Sequence, residues 1–305
     1  MGRASGLLLA SAVLVTGCDS ELVTLGRIPR QDPGGSTGGA SSEPVFRFSE
    51  PVLVANIQSQ DKDDNPTLTA DLREIYFTST RGGNADVYVA TRSSADEPFG
   101  TPARVDAVSS EKDDASPAIA LDGQTLWVGQ DTEDDDVEDT DIWFVTRLPS
   151  GGWSPPENAT SLNSDAKDIP RQPAGTAALT IMPLGSQRNG DDYQTFFAAR
   201  SGSGEFGVPA PIPELEPWTR VVDGFLTQDL LTLLFSSGEG EDNGDLFAVS
   251  RQSLAAPFGE PVALEDINTE HDERDPWLSP DGRRLFFTSN RGESHDIYEV
   301  AVTRE

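Results

Sequence analysis

Cysteine, lysine, histidine and methionine are all scarce in this chain of 305 residues. A single cysteine, Cys18, rules out an intrachain disulfide. There are three lysines (Lys62, Lys112, Lys167) and two histidines (His271, His295), and no Ser-His-Asp set can be argued from their spacing. Positive charge is short altogether: 22 Lys and Arg stand against 52 Asp and Glu, a net charge of −30 and a pI near 4.2. Such a surface repels phosphate backbones, which argues against nucleic acid as a partner. It also repels anionic lipid, which excludes adsorption through a basic patch. Cations, basic proteins and neutral glycans stay open as partners. Long apolar runs are missing too, apart from a short one at Leu7 to Val15. With 36% hydrophobic residues and 50 Gly plus Pro, the composition favours many short strands joined by turns.

What the chain does have is a long repeat. An aromatic residue is followed three positions later by proline at Phe48/Pro51, Phe99/Pro102, Trp153/Pro156, Phe206/Pro209 and Phe258/Pro261, about every 52 residues. Between these pairs lie two apolar strands per unit, such as Ile75-Tyr76-Phe77 with Asp86-Val87-Tyr88-Val89, and Leu285-Phe286-Phe287 with Asp296-Ile297-Tyr298. A shorter segment precedes them and ends in a turn, as at Leu121-Asp122-Gly123 and Pro280-Asp281-Gly282. Each unit thus reads as four strands, a to d, with the proline-bearing segment as the outer edge strand d. Four-stranded units repeated radially predict an all-β fold, a β-propeller of five blades by repeat count, with six as the alternative. The chain begins with a lone d strand (Phe48 to Val54) and ends after a c strand. The N-terminal strand is therefore expected to complete the last blade and close the ring.

The first 17 residues carry Arg3 and the short apolar core, which is too short to span a bilayer and reads as a secretory signal. Val15-Thr16-Gly17-Cys18 resembles the lipobox of bacterial lipoproteins, which implies lipidation of Cys18 and a chain anchored to a membrane on the periplasmic or surface side of the bacterial cell envelope. An ordinary secretory signal with a leftover cysteine is the plainer reading. Residues 18–42, rich in Gly and Ser, read as a flexible tether, and 43–305 as the propeller.

Ser279-Pro280-Asp281-Gly282-Arg283-Arg284-Leu285-Phe286-Phe287-Thr288-Ser289-Asn290-Arg291-Gly292, followed by Asp296-Ile297-Tyr298, resembles the repeat of TolB-type β-propellers. Blade one resembles it through Thr78-Ser79-Thr80-Arg81-Gly82-Gly83, and the resemblance runs from Phe48 onward. TolB itself has six blades, so a count of five departs from that relative. The resemblance implies the fold and says little about the ligand, because a fold does not fix what its surface binds.

Two sets of side chains stand out as candidate sites. The d-to-a connections repeat an acidic pattern (Asp63, Asp64; Asp113, Asp114; Asp168; Asp272, Glu273) that could ring the channel with hard oxygen ligands for calcium. Alternatively, residues repeated in every blade serve every blade, accepting backbone N–H bonds or pairing with a nearby Lys or Arg. The second set does not repeat. Blades three to five carry Arg171, Arg220 and Arg274 near the start of strand a, with Trp218 and Trp277 close by; blades one and two carry Asn65 and Ser116. With Arg188 and Arg291 from the b-to-c loops, these predict a face where arginines take a carboxylate and a tryptophan takes a sugar or peptide. The alternative is that the arginines pair with surrounding acids. No catalytic residue is assigned: a propeller glycosidase needs carboxylates converging about 5–9 Å apart, and on the a strands only Asp223 and Asp275 qualify by position. The reading is a lipid-anchored, non-catalytic module for an envelope protein or glycan, with a glycan hydrolase or lyase as the competing class.

Overall fold

A computed structural model describes residues 46–131, 139–190, 192–218, 220–238 and 243–304. Cys18, the expected signal, the tether at 18–42 and most of the acidic loop after Asp131 lie outside the described residues. Five antiparallel sheets make five blades of a β-propeller. Strands a to d run Asp63–Leu68, Glu74–Ser79, Asp86–Thr91 and Ala103–Arg104 in blade one, and Asp114–Ile119, Thr125–Asp131, Thr140–Thr146 and Glu157–Asn158 in blade two. In blade four they are Val222–Leu226, Thr232–Ser237, Asp245–Ser250 and Val262–Ala263. Blade three has b, c and d at Leu179–Ser186, Gln194–Arg200 and Ala210–Pro211, but its strand a is split into Asp168–Pro170 and Ala174–Thr176. Pro170 and Pro173 explain the split, since proline has no N–H to donate to the ladder.

The ring closes as the chain ends require. Blade five takes Glu273–Leu278, Arg284–Ser289 and Asp296–Arg304 from the C-terminus and its fourth strand from the N-terminus. Phe46–Phe48 pairs with Arg304 to Val302, and Val52–Leu53 pairs with Glu299 and Tyr298. Backbone bonds Ser49 N–Ala301 O and Val54 N–Ile297 O, both 3.0 Å, extend the seam.

The core lies between blades. Tyr76 and Val87 of blade one pack with Ile119, Leu126 and Val128 of blade two, all nearly or fully buried. Strands b and c are covered on both faces, so their apolar runs are nearly continuous, and each large side chain buried this way contributes about 1.5–3 kcal/mol.

The repeated aromatic has a specific job on the lower face, where the a-to-b turns and c-to-d loops lie. Arg92, Arg147, Arg200 and Arg251, at the ends of the c strands, stack over Phe99, Trp153, Phe206 and Phe258 at 4.1–4.7 Å. In three blades the same guanidinium donates from Nε to the carbonyl of the a-to-b turn: Leu72 O at 2.6 Å, Gly123 O at 2.8 Å and Leu230 O at 2.9 Å. Those three turn residues share a positive φ (59°, 70° and 62°), a conformation glycine adopts freely and leucine does not.

Candidate axial site

On the upper face, four blades repeat one clamp. The first acid of strand a accepts the backbone N–H four residues earlier: Ser59 N to Asp63 (2.5 Å), Ser110 N to Asp114 (2.5 Å), Ser164 N to Asp168 (2.6 Å) and Thr269 N to Glu273 (2.8 Å). Its other oxygen takes a donor from the end of strand b or the b-to-c loop: Arg81 at 2.6 Å, Gln130 at 2.7 Å, Arg188 at 2.5 Å and Arg291 at 3.1 Å. The arginines reach on to the carbonyls of Ile57, Leu162 and Ile267 at 2.6–2.8 Å, pinning the d-to-a loop. Blade two supplies a neutral amide instead of a guanidinium, and burial raises the pKa of Asp114 above the ordinary carboxylate range. Blade four has Val221 at the acid's place and no such clamp.

The remaining acids of the expected calcium ring are engaged as well. Asp64 pairs with Lys62 at 2.6 Å. Asp113 accepts the Ala85 N–H of blade one at 2.8 Å. Asp272 accepts the Gly244 N–H of blade four at 2.7 Å, contacts His295 Nε2 at 3.0 Å and pairs with Arg274. Burial alone would raise the pKa of Asp272, but His295 and Arg274 outweigh it and lower it. Among the described residues, no group of three or more His, Cys, Asp or Glu is arranged to hold a metal ion.

The arginine set does not share equivalent positions along strand a, and each strand a outside blade three carries a bulge two or three residues in. The bulge residues are Asn65, Ser116, Asp223 and Asp275, all at φ of 52–58°. Asn and Asp tolerate this left-handed conformation better than most residues. The repeated Asn-Pro, Ser-Pro, Asp-Gly and Asp-Pro steps were the sequence signal for it. Arg171 lies at the position of Pro66 and Pro276, one past the bulge, Arg274 lies one before, and Arg220 three before.

Asn65, Ser116, Arg171, Asp223 and Asp275, one from each blade, meet at the axis. Arg171 donates from Nη1 to Asn65 Oδ1 at 2.7 Å, pairs through Nη2 with Asp223, and lies 3.6 Å from Asp275 Oδ1. Ser116 Oγ donates to Asn65 Oδ1 at 3.1 Å, the Asn65 N–H reaches Asp275 Oδ2 at 3.3 Å, and Ser236 Oγ donates to Asp223 Oδ2 at 2.5 Å. Asp275 is 4% exposed. Burial, followed by the charge of Asp223, pushes the Asp275 carboxyl up to about 8. Burial opposes ionisation of Asp223 as well, but Arg171 and Arg274, with the hydroxyl of Ser236 and the proton of Asp275, outweigh it and lower its pKa. The result is one ionised and one protonated carboxyl beneath one guanidinium. The space between this cluster and Gln172, Phe225 and Trp277 is about 20 Å³, room for about one water.

Trp277 is not on the upper face. It is 1% exposed, and its Nε1 donates to Gln172 Oε1 at 3.0 Å inside the channel. Gln172 Nε2 in turn donates to Leu68 O (2.9 Å) and Ile119 O (2.5 Å), so this plug joins blades one, two, three and five. Trp218 packs edge-on to Phe235 and Phe247 at 5.9 and 5.0 Å. Of the expected face, Arg188 and Arg291 are in blade clamps, Arg274 pairs with Asp272, and Arg171 is the axial bridge. Nothing local in the sequence marks Gln172.

No family model matches the sequence, and no curated protein matches it. Solved structures share the fold. TolB from Acinetobacter baumannii is 15% identical with a TM-score of 0.52 over 81% of this chain; the match covers 55% of that chain, little more than half its length. The catalytic domain of a Coprinopsis cinerea GH62 α-L-arabinofuranosidase is 10% identical with a TM-score of 0.57 over 85% of this chain and 97% of that one. An endo-arabinase from Bacteroides thetaiotaomicron is 13% identical with a TM-score of 0.54 over 83% and 98%. At these identities the likeness is one of fold, and it includes TolB and glycoside hydrolases alike.

Proposed function

We propose that the chain is a non-catalytic binding propeller, held at the bacterial cell envelope by a lipid on Cys18 and displayed on the tether at 18–42. The observation that carries the non-catalytic half is the axial cluster. Asp223 and Asp275 are the two carboxylates best placed by position for glycoside hydrolysis, yet both are taken up by Arg171, which pairs with Asp223 and lies 3.6 Å from Asp275 Oδ1. The space of about 20 Å³ between this cluster and Gln172, Phe225 and Trp277 admits no sugar ring. The anchor rests on the lipobox-like Val15-Thr16-Gly17-Cys18. The ligand is an envelope protein or a neutral glycan, because a net charge of −30 disfavours polyanions.

The glycan-hydrolase reading is favoured by one observation, the fold shared with arabinan-degrading enzymes. It would require Arg171 to leave its place. Incubating the purified chain with a panel of arabinans, xylans and other envelope and plant polysaccharides, with reducing-end detection, separates the two. No release is expected. Release that is abolished by Asp223→Asn or Asp275→Asn would overturn the proposal.

A further inference from the structure

The two faces of the propeller differ in what they show to water. Among the described residues, every exposed large apolar side chain lies on the lower face or on an outer strand d. Leu148, Val208 and Leu254 come from the c-to-d loops of blades two, three and four, and Val52, Leu53 and Val262 from strands d of blades five and four. Singly such residues are ordinary, but their confinement away from the upper face is not. The loops also hold them outward. Leu148 opens a closed turn in which its N–H donates to Gly152 O at 3.0 Å and the Gly151 N–H returns to Leu148 O at 2.9 Å. Leu254 stands at the corner of a turn closed by the Ala256 N–H on Ser253 O at 3.1 Å. Val208 sits between Gly207, whose N–H donates to Ala199 O at 2.9 Å, and Pro209.

Charge divides in the same sense. The upper loops expose acids at Asp61, Glu111, Asp165, Glu270 and Glu293. On the lower face Asp71 and Asp281 are exposed as well, but each stands two residues from an exposed arginine, Arg73 or Arg283, and accepts its N–H at 3.1 Å. Asp96 there pairs with Arg284 at 3.0 Å.

The chain also enters the propeller at the lower face. Strand c of blade five runs from Asp296 and continues three residues past Ala301, the counterpart of Thr91 at which strand c of blade one ends. Phe46 pairs there with Arg304. A Gly/Ser-type coil of the length read from residues 18–42 spans about 25–30 Å, which keeps this face close to whatever holds Cys18.

We infer that the lower face meets the lipid surface that holds the anchor, with the loop tips at Leu148, Val208 and Leu254 in the headgroup boundary and the acidic upper face turned away. This rests on the lipid-anchor reading. Aliphatic tips gain by leaving water at that boundary, and Arg73 and Arg283 can keep their charge at phosphate level while their stems lie lower. Anionic lipid repels the upper acids over a Debye length of about 8–10 Å. That repulsion turns the propeller rather than releasing it, because the attachment comes from the anchor.

The test is a depth measurement on the full lipidated chain in vesicles of phosphatidylcholine with a minor share of phosphatidylglycerol. Cys18 is the single cysteine, so once its sulfur carries lipid an introduced cysteine is the one free thiol. A fluorophore goes on Ser150→Cys or Ser253→Cys below and on Glu111→Cys or Glu270→Cys above, with headgroup-spin-labelled lipid as quencher. The lower labels should lose most of their emission and the upper labels should keep theirs. The triple variant Leu148→Ser, Val208→Ser, Leu254→Ser changes exposed positions only, and in it the lower labels should recover while the chain still floats with the vesicles. Equal quenching on the two faces, stronger quenching above, or quenching unchanged in the triple variant would overturn the inference with the anchor intact. A chain that does not float with vesicles would overturn the anchor reading, and the inference with it.

Discussion

The rim clamps and the axial cluster use the same chemistry for opposite ends. At the rim, Arg81, Arg188 and Arg291 each meet one buried acid of their own blade. The arrangement recurs, tolerates a glutamine in blade two and is dispensed with in blade four. At the axis, one arginine from blade three serves two acids from blades four and five and an asparagine from blade one. That arrangement occurs once. Repetition marks groups that any blade needs to hold its loop; the unrepeated cluster marks a place where the blades depend on one another.

The largest effect expected from this contrast comes from breaking the ring. Removing residues 46–54 strips blade five of its outer strand pairing while leaving the rim arginines and acids in the chain. Cooperative unfolding should be lost, with a broad transition and dye-binding apolar surface. A sharp transition at the original temperature would show that the axis does not need closure.

Next is Arg171→Met. It leaves two axial carboxyls without their cation and should cost about 3–5 kcal/mol in denaturant unfolding. Arg188→Met leaves a single acid, Asp168, which keeps the Ser164 N–H and Oγ donors, and should cost about 1–3 kcal/mol. Equal costs would erase the distinction between rim and axis.

The pH response sharpens it further. With Asp275 near 3.8 when unfolded and about 8 when folded, the unfolded chain binds fewer protons between those values, so this group's contribution to stability falls as pH rises from about 4 to about 8. Asp275→Asn removes that slope, and its stability relative to the parent should improve steadily from pH 5 to pH 8. Asp223, with its lowered pKa, acts in the other sense: it stabilises above the unfolded pKa, and this is lost as pH falls through the folded value. The smallest effect belongs to the lower face, where Arg92→Lys gives up the flat guanidinium over Phe99 and the Nε bond to Leu72 O. About 1 kcal/mol, independent of pH from 5 to 8, is expected.

The blade repeat and the closure were legible because they rest on local signals: the aromatic-x-x-Pro spacing, the apolar b and c runs, and a chain that starts on d and ends on c. Register on strand a was not. Arg171, Arg220 and Arg274 all fall near the start of strand a in sequence, but they lie one residue past, three before and one before the bulge level. Blades one and two put the small Thr67 and Ala118 at the level where blades four and five put Phe225 and Trp277. Gln172 meets Trp277 across 105 residues of sequence, a contact no periodicity encodes. The acidic repeats were readable in kind, and their plainer explanation, accepting backbone N–H and pairing with nearby cations, matches the contacts at Asp63, Asp113, Asp168, Asp272 and Glu273.

A carbon-detected NMR titration of the aspartate carboxyls tests the central claim most directly. If Arg171 holds Asp223 and Asp275 as one proton-sharing pair, the Asp275 carboxyl stays protonated through neutral pH and titrates near 8, and Asp223 ionises below the usual range. Independent titration of both near 3.8 would mean two separate, open carboxylates at the axis, and would contradict the account.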